Sequence, residues 1–379
     1  MVLTLATCRP SSDSEPSAPE PDLAVFEALP YISWTEGDTD PEQRGVTLWD
    51  RERAWEGINL YTNDVNEAYL MDMAGRRLHT WTLPKKYRHC EHFELLPQGE
   101  VVVVCVRQGL VKLDRDSNVV WVSKMPLHHD VEVLDDDSFL VPRRIGAQVY
   151  QGRRVLFDGV AHLSAEGQML DVWSTWEQLA ELQARHEPSS LDSPPEDQGS
   201  RKTFDYYHLN TVEVLPETPL GRKDPRFQAG NLLICLRNAN VILILDRDTR
   251  GVTWSWGPGE LSLPHMPTML ANGKILVFDN GFASRSSRVL ELDPVSLEIV
   301  WRYEGDPPES FFTRYRGSNQ RLPNGNTLIC DADNGHVIEV TSAGEVVWEF
   351  WNPEFKDRSR KGIYRFMRRS RDEVHDLFR

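Results

Sequence analysis

One unit recurs along this chain, and it fixes the fold class more firmly than any single motif. It has a polar start, a strand running into a Pro-, Asn- or Asp-Gly turn, a β-rich strand, a second alternating strand ending in Asp, and a strand closing on tryptophan. The C-terminal copy shows it whole: Gln320-Arg-Leu-Pro-Asn-Gly325, Asn326-Thr-Leu-Ile-Cys330, His336-Val-Ile-Glu-Val340 and Gly344-Glu-Val-Val-Trp348. The copy before it reads Met269-Leu-Ala-Asn-Gly273, Lys274-Ile-Leu-Val-Phe278, Arg288-Val-Leu-Glu-Leu-Asp293 and Glu298-Ile-Val-Trp301. The closing tryptophans are Trp81, Trp121, Trp173, Trp254, Trp301 and Trp348, at spacings of 40, 52, 81, 47 and 47 residues. Periods of about 40 to 50 residues, each holding four short strands, predict an all-β six-bladed β-propeller, since a helical solenoid would carry a 3.6 periodicity instead. The tryptophans are expected to pack between blades.

The long interval holds two insertions, expected at about 174–206 and 217–229. The first has helical spacing from Trp176 to His186, and both are expected on a face of the propeller, as lids over the channel mouth. The single propeller domain is expected over 23–352. Residues 1–22 read as a disordered tether, and 353–379 as a basic C-terminal helix or arm on the propeller's edge.

The formal net charge of −16 argues against nucleic acid as a partner, because phosphate binding needs a basic face. No apolar run approaches the roughly 18 residues of a membrane span. The apolar run ending at Cys8 resembles the end of a lipoprotein signal, which predicts a periplasmic or membrane-tethered protein; the alternative is a cytoplasmic protein with a frayed end. Five cysteines give little sign of a disulfide framework, and Cys105, Cys235 and Cys330 are expected as buried free thiols on equivalent strands.

In a propeller the innermost strand of each blade faces the central channel, so residues at the start of each unit converge. Aligned on the leucine before the turn (Leu134, Leu215, Leu270), the residue five positions earlier is His129, Asn210 or His265, with His208 on the same strand face as Asn210. Of 11 histidines, His89, His92, His128, His129, His208 and His265 gather at these starts. Arg237 follows the strand Leu232-Leu-Ile-Cys-Leu236, Arg143 takes a similar place, and Gln320 and Arg321 stand at the start of the last unit. Imidazoles, guanidiniums and amides on one axis suit a tetrahedral oxyanion, with a ring nitrogen left to attack or to move a proton.

His208-Leu-Asn210 with Val212-Glu-Val-Leu-Pro216, then Asn231-Leu-Leu-Ile-Cys-Leu-Arg237-Asn238, Trp254-Ser-Trp-Gly257, His265-Met-Pro267 and Ile275-Leu-Val-Phe-Asp-Asn-Gly281 resemble, in order, the motifs of the arylsulfotransferase-like propellers. The resemblance runs from about Gly45 to Asn352. It implies sulfuryl transfer from an aryl sulfate to a phenol without phosphoadenosine phosphosulfate, and no cofactor or metal. It further implies that His265 is the nucleophile that becomes a sulfohistidine. His208, Asn210 and Arg237 match the family's other catalytic positions, and His129, or failing it His128, a further channel histidine. Arg321 and Gln320 are expected at the substrate. Met266 and Pro267 depart from the polar follower expected after the nucleophile. Three other readings remain open: a propeller that binds an anion or a protein without catalysis, a quinone-dependent dehydrogenase, and a metal hydrolase built on the histidines.

Overall fold

The computed structural model describes residues 42–62, 66–87, 89–106, 108–186, 203–356 and 359–375. They form a six-bladed β-propeller. Blades 2, 4 and 5 are four-stranded antiparallel sheets in chain order: Cys90–Leu95 to Val119–Ser123, Leu209–Val214 to Val252–Trp256, and His265–Met269 to Ile299–Glu304. Second strands such as Val101–Cys105, Leu232–Leu236 and Ile275–Asp279 are buried throughout, because other blades cover both faces of the sheet. Outermost strands such as Ile299–Glu304 are largely in solvent.

Both chain ends close the ring. Gly45–Trp49 adds a fifth, outer strand to blade 6, pairing with Val346–Trp351. Phe366–Arg369 is the innermost strand of blade 1, paired with Ile58–Thr62. The boundary expected at 352 therefore corrects to a later one: the basic segment enters the ring as a strand and then ends in the short helix Arg371–His375. Two of its arginines are drawn inward by carboxylates from other blades: Arg368 pairs with Glu339, and Arg365 Nη1 lies 2.5 Å from Asp130 Oδ1. Sequence charge alone does not reveal such partners.

Four of the six closing tryptophans bond their blade to the next. The indole N–H of Trp81 donates to the Gly99 carbonyl, that of Trp254 to Pro294, that of Trp301 to Ser342, and that of Trp348 to Met73 across the ring closure. On the channel side a second device repeats. Side chains of one inner strand accept backbone N–H groups of the next: Glu91 from His129, Asp130 from Val212, Glu213 from Met269, and Ser318 from Phe366. Inner strands would otherwise present unpaired N–H groups to a narrow channel.

Two further expectations change. Cys90 and Cys105 face each other across the first two strands of blade 2 and form a disulfide, so Cys105 is not a free thiol; Cys235 and Cys330 are free and buried. The insertion at 217–229 joins the first and second strands of blade 4, on the face opposite the channel histidines, where Leu220 lies against Gly273. It cannot cover their mouth. The insertion after Trp173 does lie on the histidine face and carries the helix Leu179–Arg185, while its loop from 187 to 202 is outside the described residues, as are Cys8 and the proposed tether.

Candidate active site

The site is built where inner strands begin, and the backbone there is unusual. His89, His129, His208, Met266 and Arg316, one at the start of each of five blades, have φ values of 54°, 65°, 53°, 43° and 66°. Left-handed non-glycine residues are uncommon and clustered strain marks positions that the fold over-determines.

Blade 3 adds a second element to this face. Its middle strands, Phe139–Tyr150 and Arg153–Leu163, run far past the usual length as a hairpin, against which Phe204–Asp205 pairs in parallel. The hairpin carries Arg144 and Asp158 to the histidines. Arg144 makes two bonds to Asp205, 2.8 and 2.7 Å, and one to Asp158, 2.7 Å. Burial pushes the Asp205 carboxyl up, but Arg144 and His208 outweigh it and hold the group well below the usual carboxylate range.

From Asp205 an imidazole chain crosses the site. Asp205 Oδ2 lies 2.7 Å from His208 Nδ1, His208 Nε2 lies 3.1 Å from His129 Nε2, and His129 Nδ1 lies 2.8 Å from His128 Nδ1. Three neutral imidazoles carry three protons, and these fill the three bonds. His128 Nε2 is then a buried lone pair without a hydrogen bond among the described residues, 3.4 Å from Asp158 Oδ1. With neutral imidazoles, Asp158, Asp205 and Arg144 leave the cluster one negative charge. A fourth proton would balance that charge and give His128 an N–H facing Asp158. Burial opposes it, pushing His128 down and His129 well down from the ordinary imidazole value, the latter with help from the charges of His208 and His128.

His265, across the channel, is held differently. Its Nδ1 lies 2.6 Å from Asn280 Oδ1 and 3.2 Å from the Leu263 carbonyl. The Asn280 amide nitrogen donates to the carbonyls of Thr313 and Arg316, which fixes its oxygen toward the ring. Both partners of Nδ1 are acceptors, so Nδ1 carries the proton and Nε2 the lone pair. Burial and then the Arg237 charge push the His265 imidazole well below its usual value, so it stays neutral at neutral pH.

Arg237 is buried, bonds Asn238 Oδ1 at 2.9 Å, and lies 5.8 Å from the centre of the Tyr315 ring. His265, His208, His129, His128 and Arg237 are thus brought together. Asn210 is adjacent but engaged: its amide donates to the Pro264 carbonyl at 2.9 Å, which ties down the residue before His265. Gln320 and Arg321 do not join the cluster. Gln320 is bonded both ways to the backbone of Arg368, and Arg321 is drawn between blades by Glu291 at 2.8 Å and stacks over Trp301. His92 lies deeper in the channel against Glu94, and His89 is at the surface. Arg144, Asp158 and Asp205 carry no signal in the sequence, and Asn280 carries one only by its place inside the Phe-Asp-Asn-Gly281 motif.

A family profile described as arylsulfotransferase (ASST) matches residues 92–353, more than half of the chain. The chain belongs to the arylsulfotransferase family. The match spans His128, His129, His208, Arg237 and His265, and ends before the strand Phe366–Arg369 that closes the ring. No curated protein matches the chain. Among solved structures, a protein of unknown function from Bacteroides caccae is 16% identical over 78% of this chain and 94% of its own, with a TM-score of 0.50. A virginiamycin B lyase from Staphylococcus aureus is 11% identical over 71% of this chain and 72% of its own, with a TM-score of 0.41. The first of these likenesses, at 16% identity, speaks to the fold alone; the activity class of this chain comes from its family.

Proposed function

We propose that this arylsulfotransferase family member moves a sulfuryl group from an aryl sulfate to a phenol through a sulfohistidine at His265. The observation that carries this reading is the forced tautomer of His265, a neutral imidazole with its Nε2 lone pair beside a buried guanidinium. Nε2 attacks sulfur as the bond from sulfur to the phenolic oxygen breaks, and Nδ1–H stays on Asn280. Charge on the sulfuryl oxygens and the leaving oxygen is opposed by Arg237 and the imidazole cluster, in a site where donors are already in place.

The leaving phenoxide needs a proton, and a neutral imidazole chain cannot give one without forming an imidazolate. The working state therefore holds the fourth proton, drawn in when the anionic sulfate binds. It leaves from the His208–His129 pair, and the acceptor phenol returns it when its oxygen attacks the sulfohistidine. Asp205 and Arg144 act as positioning residues for this chain, and Asn210 acts through Pro264.

Incubation with p-nitrophenyl sulfate and a phenol, followed by peptide mass spectrometry, tests the reading. The expected results are sulfated phenol and a sulfonated peptide containing His265, both lost in His265→Ala. A protein that binds aryl sulfates but never transfers the group would be a non-catalytic propeller. Transfer without modification at His265 would place the nucleophile elsewhere. We also propose an extracytoplasmic site of action, with Cys8 as a lipidation candidate; the Cys90–Cys105 disulfide supports an oxidising compartment.

A further inference from the structure

On the histidine face, the loop after the second strand of blade 5 meets the loop leading into blade 6, and together they collect arginines on aromatic rings. Arg314 lies 5.1 Å from the centre of the Tyr315 ring and 5.2 Å from that of Phe282, and Arg285 lies 5.6 Å from that of Phe312. The three rings are half-buried, and both guanidiniums are exposed. In a chain with 58 acidic and 42 basic side chains, neither Arg285 nor Arg314 makes an ion pair among the described residues. The Asp333 carboxylate accepts the backbone N–H groups of Arg314 and Tyr315, and so shapes the loop.

The Tyr315 ring joins this patch to the inner site, because Arg237 is 5.8 Å from its centre. The two guanidiniums on that ring are separated by at most the sum of their distances to it, about 11 Å. A single sulfate needs only the inner one. An aromatic ring bearing anionic groups at opposite ends would reach both, with one end at Arg237 and the other at Arg314.

We propose that Arg314, with Arg285 behind it, forms an outer anion subsite that selects phenolic substrates carrying a second negative group remote from the reacting oxygen. The inference rests on the sulfuryl-transfer reading for its reaction but not for its binding. A guanidinium stacked on an aromatic face keeps its N–H edge free for a carboxylate or sulfate. Partial exposure limits the gain to roughly twofold to fivefold in affinity for each guanidinium, the scale of a solvated ion pair, so that the two together reach about fivefold to tenfold.

The test compares 3-(4-hydroxyphenyl)propionate with 4-propylphenol as acceptors from p-nitrophenyl sulfate. Both replaced side chains are exposed, so the variant R285Q/R314Q should fold. It is expected to lose about fivefold to tenfold in kcat/KM for the propionate, while 4-propylphenol changes less than about twofold. Equal losses on both acceptors, or no loss on either, would overturn the subsite. Calorimetric titration of the propionate into wild type and variant makes the same comparison without turnover. If no acceptor is sulfated but the variant binds the propionate more weakly, the activity reading fails and the subsite stands; unchanged binding overturns the subsite whatever the activity.

Discussion

His265 Nδ1 lies 2.6 Å from the Oδ1 atom of Asn280, and the Asn280 amide nitrogen is held by two carbonyls, those of Thr313 and Arg316. This amide and the Leu263 carbonyl, 3.2 Å from Nδ1, together select the tautomer of the proposed nucleophile. Asn280→Ala should lower the rate of sulfohistidine formation by about tenfold, because the longer bond to Leu263 alone holds the proton on Nδ1 less firmly. Asn280→Asp keeps an acceptor on Nδ1 but adds a negative charge. It should retain more activity near neutral pH and raise the His265 pKa, so that activity falls off at a higher pH on acidification. Rapid-quench kinetics across pH would check both, and a silent Asn280→Ala would refute the assignment.

The imidazole chain makes a distinct forecast about leaving groups. Asp205→Asn removes the charge that orients His208 through its 2.7 Å contact. p-Nitrophenoxide departs readily without a proton, whereas unsubstituted phenoxide needs one. The variant should therefore lose about tenfold more on phenyl sulfate than on p-nitrophenyl sulfate, following the usual size of general-acid effects. A loss independent of the leaving group would mean that the chain only supports the fold.

Deep in the channel, burial first and the neighbouring Asp130 charge second push the Glu132 carboxyl up to about 8. A folded-state pKa above the unfolded value near 4.5 means that the native state binds the extra proton between those limits. The stability contributed is complete below pH 4.5 and is lost as pH rises toward 8. Glu132→Gln keeps the site neutral without that proton. It should be more stable than wild type at pH 8, by on the order of 2 to 4 kcal/mol, with a smaller difference at pH 6. Urea unfolding at the two values measures it; equal differences at both would show Glu132 to be ionised in the native protein.

The sequence exposes the repeat because each blade must bury its own tryptophan against its neighbour, so Trp81 through Trp348 mark the register directly. His129, His208 and His265 follow from that register, since inner-strand starts meet on one axis. Arg144 and Asp158 do not follow, because they sit on a hairpin that outgrows the repeat and reach the site only through the third dimension. The strand Phe366–Arg369 was hidden by its charge. A run of arginines looks solvated until Glu339, Asp130 and Glu94, far away in sequence, are known to face it. Gln320 and Arg321 misled for the opposite reason: the register is right, but strand alternation turns their side chains to the neighbouring blades.

The disulfide between Cys90 and Cys105 closes a loop with a sequence separation of 15 beneath His89 and His92. A loop of that size adds roughly 3 kcal/mol by restricting the unfolded chain. Cys90→Ala with Cys105→Ala should lower the urea-unfolding free energy by about that amount, whereas reductant should leave the double variant unchanged and shift only the wild type. Equal sensitivity of both proteins to reductant would exclude the bridge.

Closure through the C-terminal strand sets the last expectation. Arg368 is wholly buried, pairs with Glu339 of blade 6, and donates to Asn59 Oδ1 at 2.7 Å and to the Trp55 carbonyl at 2.8 Å, while its own strand is held in blade 1. Removing one partner leaves the other charge buried without compensation, at a cost of about 3 to 5 kcal/mol. Arg368→Met should therefore destabilise the whole propeller in a single cooperative transition, because blades 1 and 6 meet at this pair. Glu339→Gln in the same background should recover part of the loss by removing the orphaned carboxylate. Hydrogen exchange distinguishes this from local fraying: the strands Ile58–Thr62 and Thr327–Asp331 should lose protection together. Loss confined to Phe366–Arg369 would show that the closing strand is dispensable to the ring.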